Sequence, residues 1–287
     1  MKSIPCCEFQ TRTLFVDDNP DLQLALLLNL PPEKGRYTFI RNPTEALTCL
    51  QRETPLLTAK QLSHAECPVP DTLYFKANLN EIKNYAEKPS KNDKIAVVFM
   101  DYQMPEMNGI EVFEQISLPC VEKIMLTSMA DEKLAVQAFN RGLINRYIPK
   151  QDPNLILLIN EAIEVGRRNY FQRSTQTLYN IMTGDEQETA LTDPIFIQFF
   201  KQLKEKLNAK EHYLLDSTGS FLFINADKVR HKLSTYTKEQ FQSLLETLPP
   251  QHRSVEIIKG RQLYHCLLGP AFTPCQELRK MKDSSWT

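Results

Sequence analysis

Three carboxylates, a hydroxyl and an amine stand at the ends of apolar runs in this chain. Thr13-Leu14-Phe15-Val16 runs into Asp17-Asp18, and Ile95-Ala96-Val97-Val98-Phe99-Met100 runs into Asp101. Lys123 to Leu126 is followed by Thr127, and Arg146 to Ile148 leads to Lys150. In open α/β sheets, ligands bind outside the carboxyl ends of the strands, so these side chains would meet at one edge. Clustered carboxylates repel at neutral pH and need a cation. A hard divalent ion such as Mg²⁺ takes oxygen ligands, keeps several waters and accepts a phosphoryl oxygen. Thr127 would hydrogen-bond a phosphoryl group, and Lys150 would supply a point positive charge. This is equipment for phosphoryl transfer onto a carboxylate, a reaction driven mostly by positioning and charge neutralisation. Asp101 would be the nucleophile and an acyl phosphate the product.

The elements that must position these groups follow from the pattern. Apolar runs at 13–16, 37–41, 95–100, 123–126 and 146–148 read as strands. Helix-length segments separate them: Pro20 to Leu30, Pro43 to Arg52, Gly109 to Ser117, Asp131 to Arg141 and Asn154 to Arg168. Proline suits a first helical position, Asp131 an N-cap and Gly142 a C-terminal cap. Strand–helix alternation predicts an α/β fold, a parallel sheet covered by helices on both faces. The stretch from about 53 to 93 breaks the alternation, because a helix-to-strand connection needs only a few residues. It reads as an insertion packed on one edge, with a short helix over 78–87.

Composition narrows the functional classes. The chain has 287 residues, 42% hydrophobic and 24% charged, with a net charge of -1. That length accommodates two domains, and the charge gives no global field toward nucleic acid or membrane. Residues 1–9 lack the apolar core of a signal peptide, and no apolar run is long enough to span a bilayer. The seven cysteines have no metal-like spacing and read as free thiols in a reducing, cytoplasmic setting. The five histidines, at 64, 212, 231, 252 and 265, show no metal-ligand spacing. The basic stretch from Lys201 to Lys210 reads as a solvated helix face.

The first half resembles the receiver domain of bacterial two-component response regulators. The resemblance rests on Val16-Asp17-Asp18, on Val97 through Asp101 to Gly109, on Leu126-Thr127-Ser128, on Ala138 to Gly142 and on Tyr147-Ile148-Pro149-Lys150. It implies a flavodoxin-like five-stranded parallel sheet of order 2-1-3-4-5 over residues 11–168. It implies that Asp101 accepts a phosphoryl group from a histidine kinase, a phosphotransfer protein or a small phosphodonor. Asp18, Asp101 and the backbone carbonyl of Gln103 would ligate Mg²⁺, with Asp17 acting through water. Thr127 would move toward the phosphate and Tyr147 would turn inward as a switch. The family places proline after the lysine; here Gln151 follows Lys150 and Pro149 precedes it.

After Arg168 the character changes. Residues 169–192 read as a helical, polar linker, and 193–270 as a smaller α+β output domain with a polar tail at 271–287. Pro194 to Asn208 is an amphipathic helix, and 213–216 with 221–225 a hairpin. Residues 226–248 read as mainly helical, and 255–260 with 262–268 as a second hairpin. Tyr213 to Asn225, followed by Tyr236 to Gln240, is similar to the start of a PAS-type sensory domain; an unrelated α+β interaction domain is the equal alternative. The output expected is protein–protein contact, including dimerisation, to an unknown downstream protein. DNA binding is disfavoured by charge and by the lack of a recognition helix. A small-messenger enzyme is disfavoured by the lack of convergent acidic or histidine motifs. No enzymatic activity is expected apart from phosphorylation and dephosphorylation of the receiver itself.

Overall fold

The computed structural model describes residues 3–32, 36–57, 62–65, 74–77, 79–87, 93–128, 132–183, 189–237, 239–240, 242–243 and 264–270. They divide into two compact units, one within Gln10–Leu57 and Lys88–Ser174, the other within Met1–Phe9, Thr58–Glu87 and Thr175–Thr287. In chain order the strands are β1 (Cys7–Glu8), β2 (Arg12–Val16), β3 (Arg36–Ile40), β4 (Leu62–Ala65), β5 (Tyr74–Ala77) and β6 (Ile95–Asp101). Then come β7 (Glu122–Thr127), β8 (Arg146–Pro149), β9 (Ala209–Leu214), β10 (Phe221–Asn225), β11 (Arg230–Thr237) and β12 (Tyr264–Pro270). The helices are α1 (Pro20–Asn29), α2 (Pro43–Gln51), α3 (Asn80–Glu87), α4 (Gly109–Glu114), α5 (Glu132–Asn140), α6 (Leu155–Met182) and α7 (Pro194–Lys206).

The first unit is a five-stranded parallel sheet in the order β3-β2-β6-β7-β8, the 2-1-3-4-5 order of the sequence reading. Every residue of β6 is buried, as expected of a central parallel strand covered on both faces. Phe15 stacks between Phe99 at 4.7 Å and Phe39 at 5.2 Å, so three neighbouring strands share one aromatic row. Helix starts are set by side-chain caps. Asn19 accepts from Asp21 N and Leu22 N, and Asn42 accepts from Thr44 N and Glu45 N. Asn108 and Glu111 form a reciprocal capping box. At the C-terminus of α5, Gly142 has φ +70°. Its N–H donates to Phe139 O, and Leu143 N donates to Ala138 O, a Schellman closure that needs a left-handed residue at this point. The Asp131 cap lies outside the described residues.

The expected insertion, from about 53 to 93, is divided between the two units. Residues 58–87 fall within the second unit, whereas both roots of the excursion are tied to the first. Lys94 Nζ donates to Thr54 O at 3.0 Å and Thr54 Oγ1 at 2.7 Å. Arg12 pairs with Asp93 at 3.3 Å and lies 4.0 Å from Glu53. The chain therefore leaves and returns at one ionic clamp. Residues 62–65 and 74–77 form an antiparallel pair.

The second unit is an antiparallel sheet in the order β1-β9-β10-β11-β12. Phe196, Phe199, Phe200 and Leu203 form the buried face of α7, and Phe200 lies 4.7 Å from Phe221 and 5.1 Å from Phe223. The β9–β10 hairpin is present as expected, with Ser220 N and Thr218 Oγ1 donating to Asp216 Oδ1. Residues 230–237 are a strand, not the expected helix. Leu233 and Thr235 alternate inward, and pairing with both β10 and β12 supplies burial that a mostly polar helix could not. Strands β9 to β12 thus follow one another as a meander. The expected strand at 255–260 and the tail at 271–287 lie outside the described residues. The fifth helix of the sequence reading extends as α6 through the expected linker to Met182. Its last part buries Thr175, Leu178 and Met182, and Thr175 Oγ1 accepts from Cys6 N at 3.2 Å.

Candidate functional site

Register delivers the candidate residues to one edge. Val16 pairs with Met100, which puts Asp17 level with Asp101. Asp101 pairs with Leu126, so Thr127 stands one residue beyond, and Thr127 pairs with Pro149, so Lys150 stands one beyond that. Four adjacent strands of a sheet twisted in one sense therefore end on a single acidic and basic cluster.

One carboxylate oxygen from each of Asp17, Asp18 and Asp101 lies within 4.8 Å of the other two. Asp17 and Asp101 are buried, and Asp18 is exposed. Lys150 Nζ bridges the two buried ones, 2.9 Å from Asp17 Oδ2 and 2.8 Å from Asp101 Oδ2. It does so between Pro149 and Gln151, with no cis peptide among the described residues. Asn19 N donates to Asp17 Oδ1 at 3.0 Å. Gln103 N donates to the Asp101 carboxylate. The Thr127 hydroxyl, on a residue 1% exposed, has no hydrogen-bond partner among the described residues. A buried hydroxyl without a partner is costly, so a bound acceptor at this edge would relieve it.

The electrostatics follow from the count: three carboxylates against one ammonium. Burial pushes the Asp101 carboxyl above its ordinary value; Lys150 pulls it back, and the Asp17 charge adds to the rise. Burial works to lower the Lys150 pKa, but hydrogen bonds and charge from Asp101 and Asp17 outweigh it and hold the ammonium above its usual value. One lysine therefore leaves an excess of negative charge facing the exposed Asp18. An all-oxygen donor set with surplus charge and an open side fits a hard divalent cation that keeps part of its water.

The loop after Asp101 is built around Gly109. A Cβ there would stand 2.2 Å from the Asp101 carbonyl oxygen and 2.7 Å from Met100 Cγ. Gly109 N also donates to Tyr102 O at 3.0 Å. The absence of a side chain at 109 is thus what lets α4 start against the end of β6.

Asp17, Asp18, Asp101, Thr127 and Lys150 are brought to this edge as the sequence reading expects. Tyr147 is half-buried on β8, with Met125 as its pairing partner on β7. The carbonyl of Gln103 belongs to the same loop. Sequence reasoning missed Gln23, a buried amide on α1 that donates to Asp17 O at 2.7 Å. The available signal was one polar residue inside the apolar run Leu22-Gln23-Leu24-Ala25-Leu26.

Residues 77–160 match the family model described as the response regulator receiver domain. The solved structure of the response regulator LqsR from Legionella pneumophila is similar over 94% of this chain and 90% of that one, with 26% identity and a TM-score of 0.72. Shorter likenesses include the adenylate cyclase from Rhodopirellula baltica, at 24% identity over 61% of this chain and 100% of that one, TM-score 0.42. Another is the signal receiver domain of an HD domain-containing protein from Pseudomonas fluorescens, at 23% identity over 55% and 90%, TM-score 0.36. No curated protein sequence matches.

Proposed function

We propose that the chain carries a response-regulator receiver domain, as the family match over residues 77–160 and the likeness to LqsR support, and that Asp101 is its phosphoacceptor in a Mg²⁺-dependent reaction. The supporting observation is the cluster itself: Lys150 spans Asp17 and Asp101 at 2.9 and 2.8 Å beside an unpartnered Thr127 hydroxyl. In the reaction an Asp101 carboxylate oxygen attacks phosphorus. One O–P bond forms, and the bond to the donor's leaving group breaks: P–N for a phosphohistidine, P–O for a small acyl phosphate. Asp17, Asp18 and Asp101, with the Gln103 carbonyl, would hold Mg²⁺, which when bound neutralises charge on the transferring group. Lys150 offsets the charge of the acyl phosphate on the other side. The Thr127 hydroxyl donates to a phosphoryl oxygen and so gains the partner it lacks.

The donor would be a histidine kinase or a phosphotransfer protein. Tyr147, on the strand that ends at Lys150, is the proposed switch that reports the state of Asp101 by turning inward. The second unit would relay that state through protein–protein contact, with dimerisation as one form of it. DNA binding or messenger chemistry by the unit that carries the meander sheet is the alternative output. None of the described helices is long and apolar enough to cross a membrane.

Incubation with acetyl phosphate and Mg²⁺ tests the reading. The wild type gains one acid-labile, base-labile phosphoryl group, and Asp101→Asn gains none. Labelling that persists in Asp101→Asn assigns the acceptor elsewhere. A salt titration with random duplex DNA separates the output alternatives, because phosphate contacts make affinity fall steeply with salt.

A further inference from the structure

We propose that Gln23 is a positioning residue for the Asp17–Asp18 pair; the proposal rests on reading the acidic edge as a Mg²⁺-dependent phosphoacceptor site. Helix α1 does something unusual with its apolar residues. Leu24, Leu27 and Leu28 are 55%, 57% and 75% exposed, whereas Gln23 is 7% exposed. Burial ordinarily favours leucine over an amide. The helix turns the amide inward because the backbone there has acceptors to satisfy. Strand β2 ends at Val16, so the regular ladder no longer holds the Asp17 carbonyl. Gln23 Nε2 takes over, donating to Asp17 O at 2.7 Å and to Ile40 O at 3.0 Å. Asp17 N donates to the same Ile40 carbonyl at 3.1 Å. Arg41 Nε donates to Gln23 Oε1 at 3.4 Å, which fixes which end of the amide faces the sheet.

The Asp17 carbonyl belongs to the peptide that joins Asp17 to Asp18. One side-chain amide therefore sets the plane between two carboxylates that point to the same cation site. It does this from outside the site, with no atom touching the reacting groups. Partners that orient ligands in this way typically change metal affinity by about tenfold or more when removed.

The test separates positioning from mere stability. Gln23→Met keeps the length and shape and loses both donors. Mg²⁺ alone is titrated calorimetrically into the full chain, and the acetyl phosphate labelling rate is followed as Mg²⁺ is raised. We expect Mg²⁺ affinity to fall about tenfold and labelling to recover at saturating Mg²⁺. The control is Leu50→Val, a core trim in α2 that lowers thermal stability and should leave Mg²⁺ affinity unchanged. Should Gln23→Met fail to fold, Gln23→Asn, whose amide falls one methylene short, is read in the same way. Unchanged affinity in the folded Gln23 variant, or an equal loss in Leu50→Val, overturns the proposal. A wild type that binds no Mg²⁺ overturns the reading of the site as well; a wild type and a Gln23→Met that bind it equally overturn this proposal alone.

Discussion

Gly109→Ala is the substitution whose sign separates two accounts of the loop after Asp101. Judged by propensity alone, alanine should help: glycine costs a helix up to about 1 kcal/mol relative to alanine, partly through the unfolded chain. The geometry argues the opposite. The new methyl would sit 2.2 Å from the Asp101 carbonyl oxygen, 2.7 Å from Met100 Cγ and 3.2 Å from the Asp101 carbonyl carbon. Those atoms end a strand paired on both sides, so they cannot retreat without disturbing the ladder. Forcing a methyl into a packed site costs about 1–3 kcal/mol, and more where backbone must move. Set against the propensity gain, the net loss should be about 2 kcal/mol. At roughly 2–4 °C per kcal/mol for a unit of this size, the melting temperature should drop by about 6 °C. Urea denaturation at constant m measures the free energy, and labelling with acetyl phosphate measures the site. Labelling should slow as well, because the displaced carbonyl belongs to Asp101. A variant as stable as the wild type, or more so, would refute the claim that close approach dictates glycine here.

Three further outcomes are expected. Beryllofluoride with Mg²⁺, at a hundredfold excess over its dissociation constant, should stabilise the wild type by about 2.7 kcal/mol and leave Asp101→Asn unmoved; calorimetric melting checks both. In the second unit, burial and then the Lys204 charge push His212 down to about 3. Its neutral form therefore adds stability in full above the ordinary histidine value, and that stability is lost as the pH falls toward the folded value. The loss should be on the order of 1.4 kcal/mol per pH unit across this window, seen in urea titrations and absent in His212→Gln. Removing the ammonium with Lys150→Met should cost the first unit about 3 kcal/mol, toward the low end for breaking a buried pair because the lysine keeps contact with solvent. Retained stability in that variant would show that the bridge seen at 2.8 and 2.9 Å contributes nothing net.

The acidic edge was legible because its logic is local. Apolar strands that lead to Asp17, Asp101, Thr127 and Lys150 need only parallel register to converge, and the pairs Val16–Met100, Asp101–Leu126 and Thr127–Pro149 supply it. Two helix starts were legible for the same reason, since Pro20 and Pro43 stand at first helical positions. What stayed hidden depends on partners far away in the chain. Residues 230–237 are a strand because β12, whose pairing joins Leu233 to Leu268 and Thr235 to Cys266, arrives much later. The destination of residues 58–87 was hidden because the ionic clamp of Arg12, Glu53, Asp93 and Lys94 holds only their roots. Gln23 was hidden because a polar residue in an apolar helix looks like its solvent face until the sheet beneath is known.

The central claim is that Asp101 carries the signal as an acyl phosphate. Intact-mass measurement after acetyl phosphate and Mg²⁺ treatment, with peptide mapping following borohydride reduction, tests it most directly. The account predicts one added phosphoryl group, mapped to Asp101 and abolished by chelation or by Asp101→Asn. An unmodified wild type, or a phosphoryl group mapped to another residue, would contradict it.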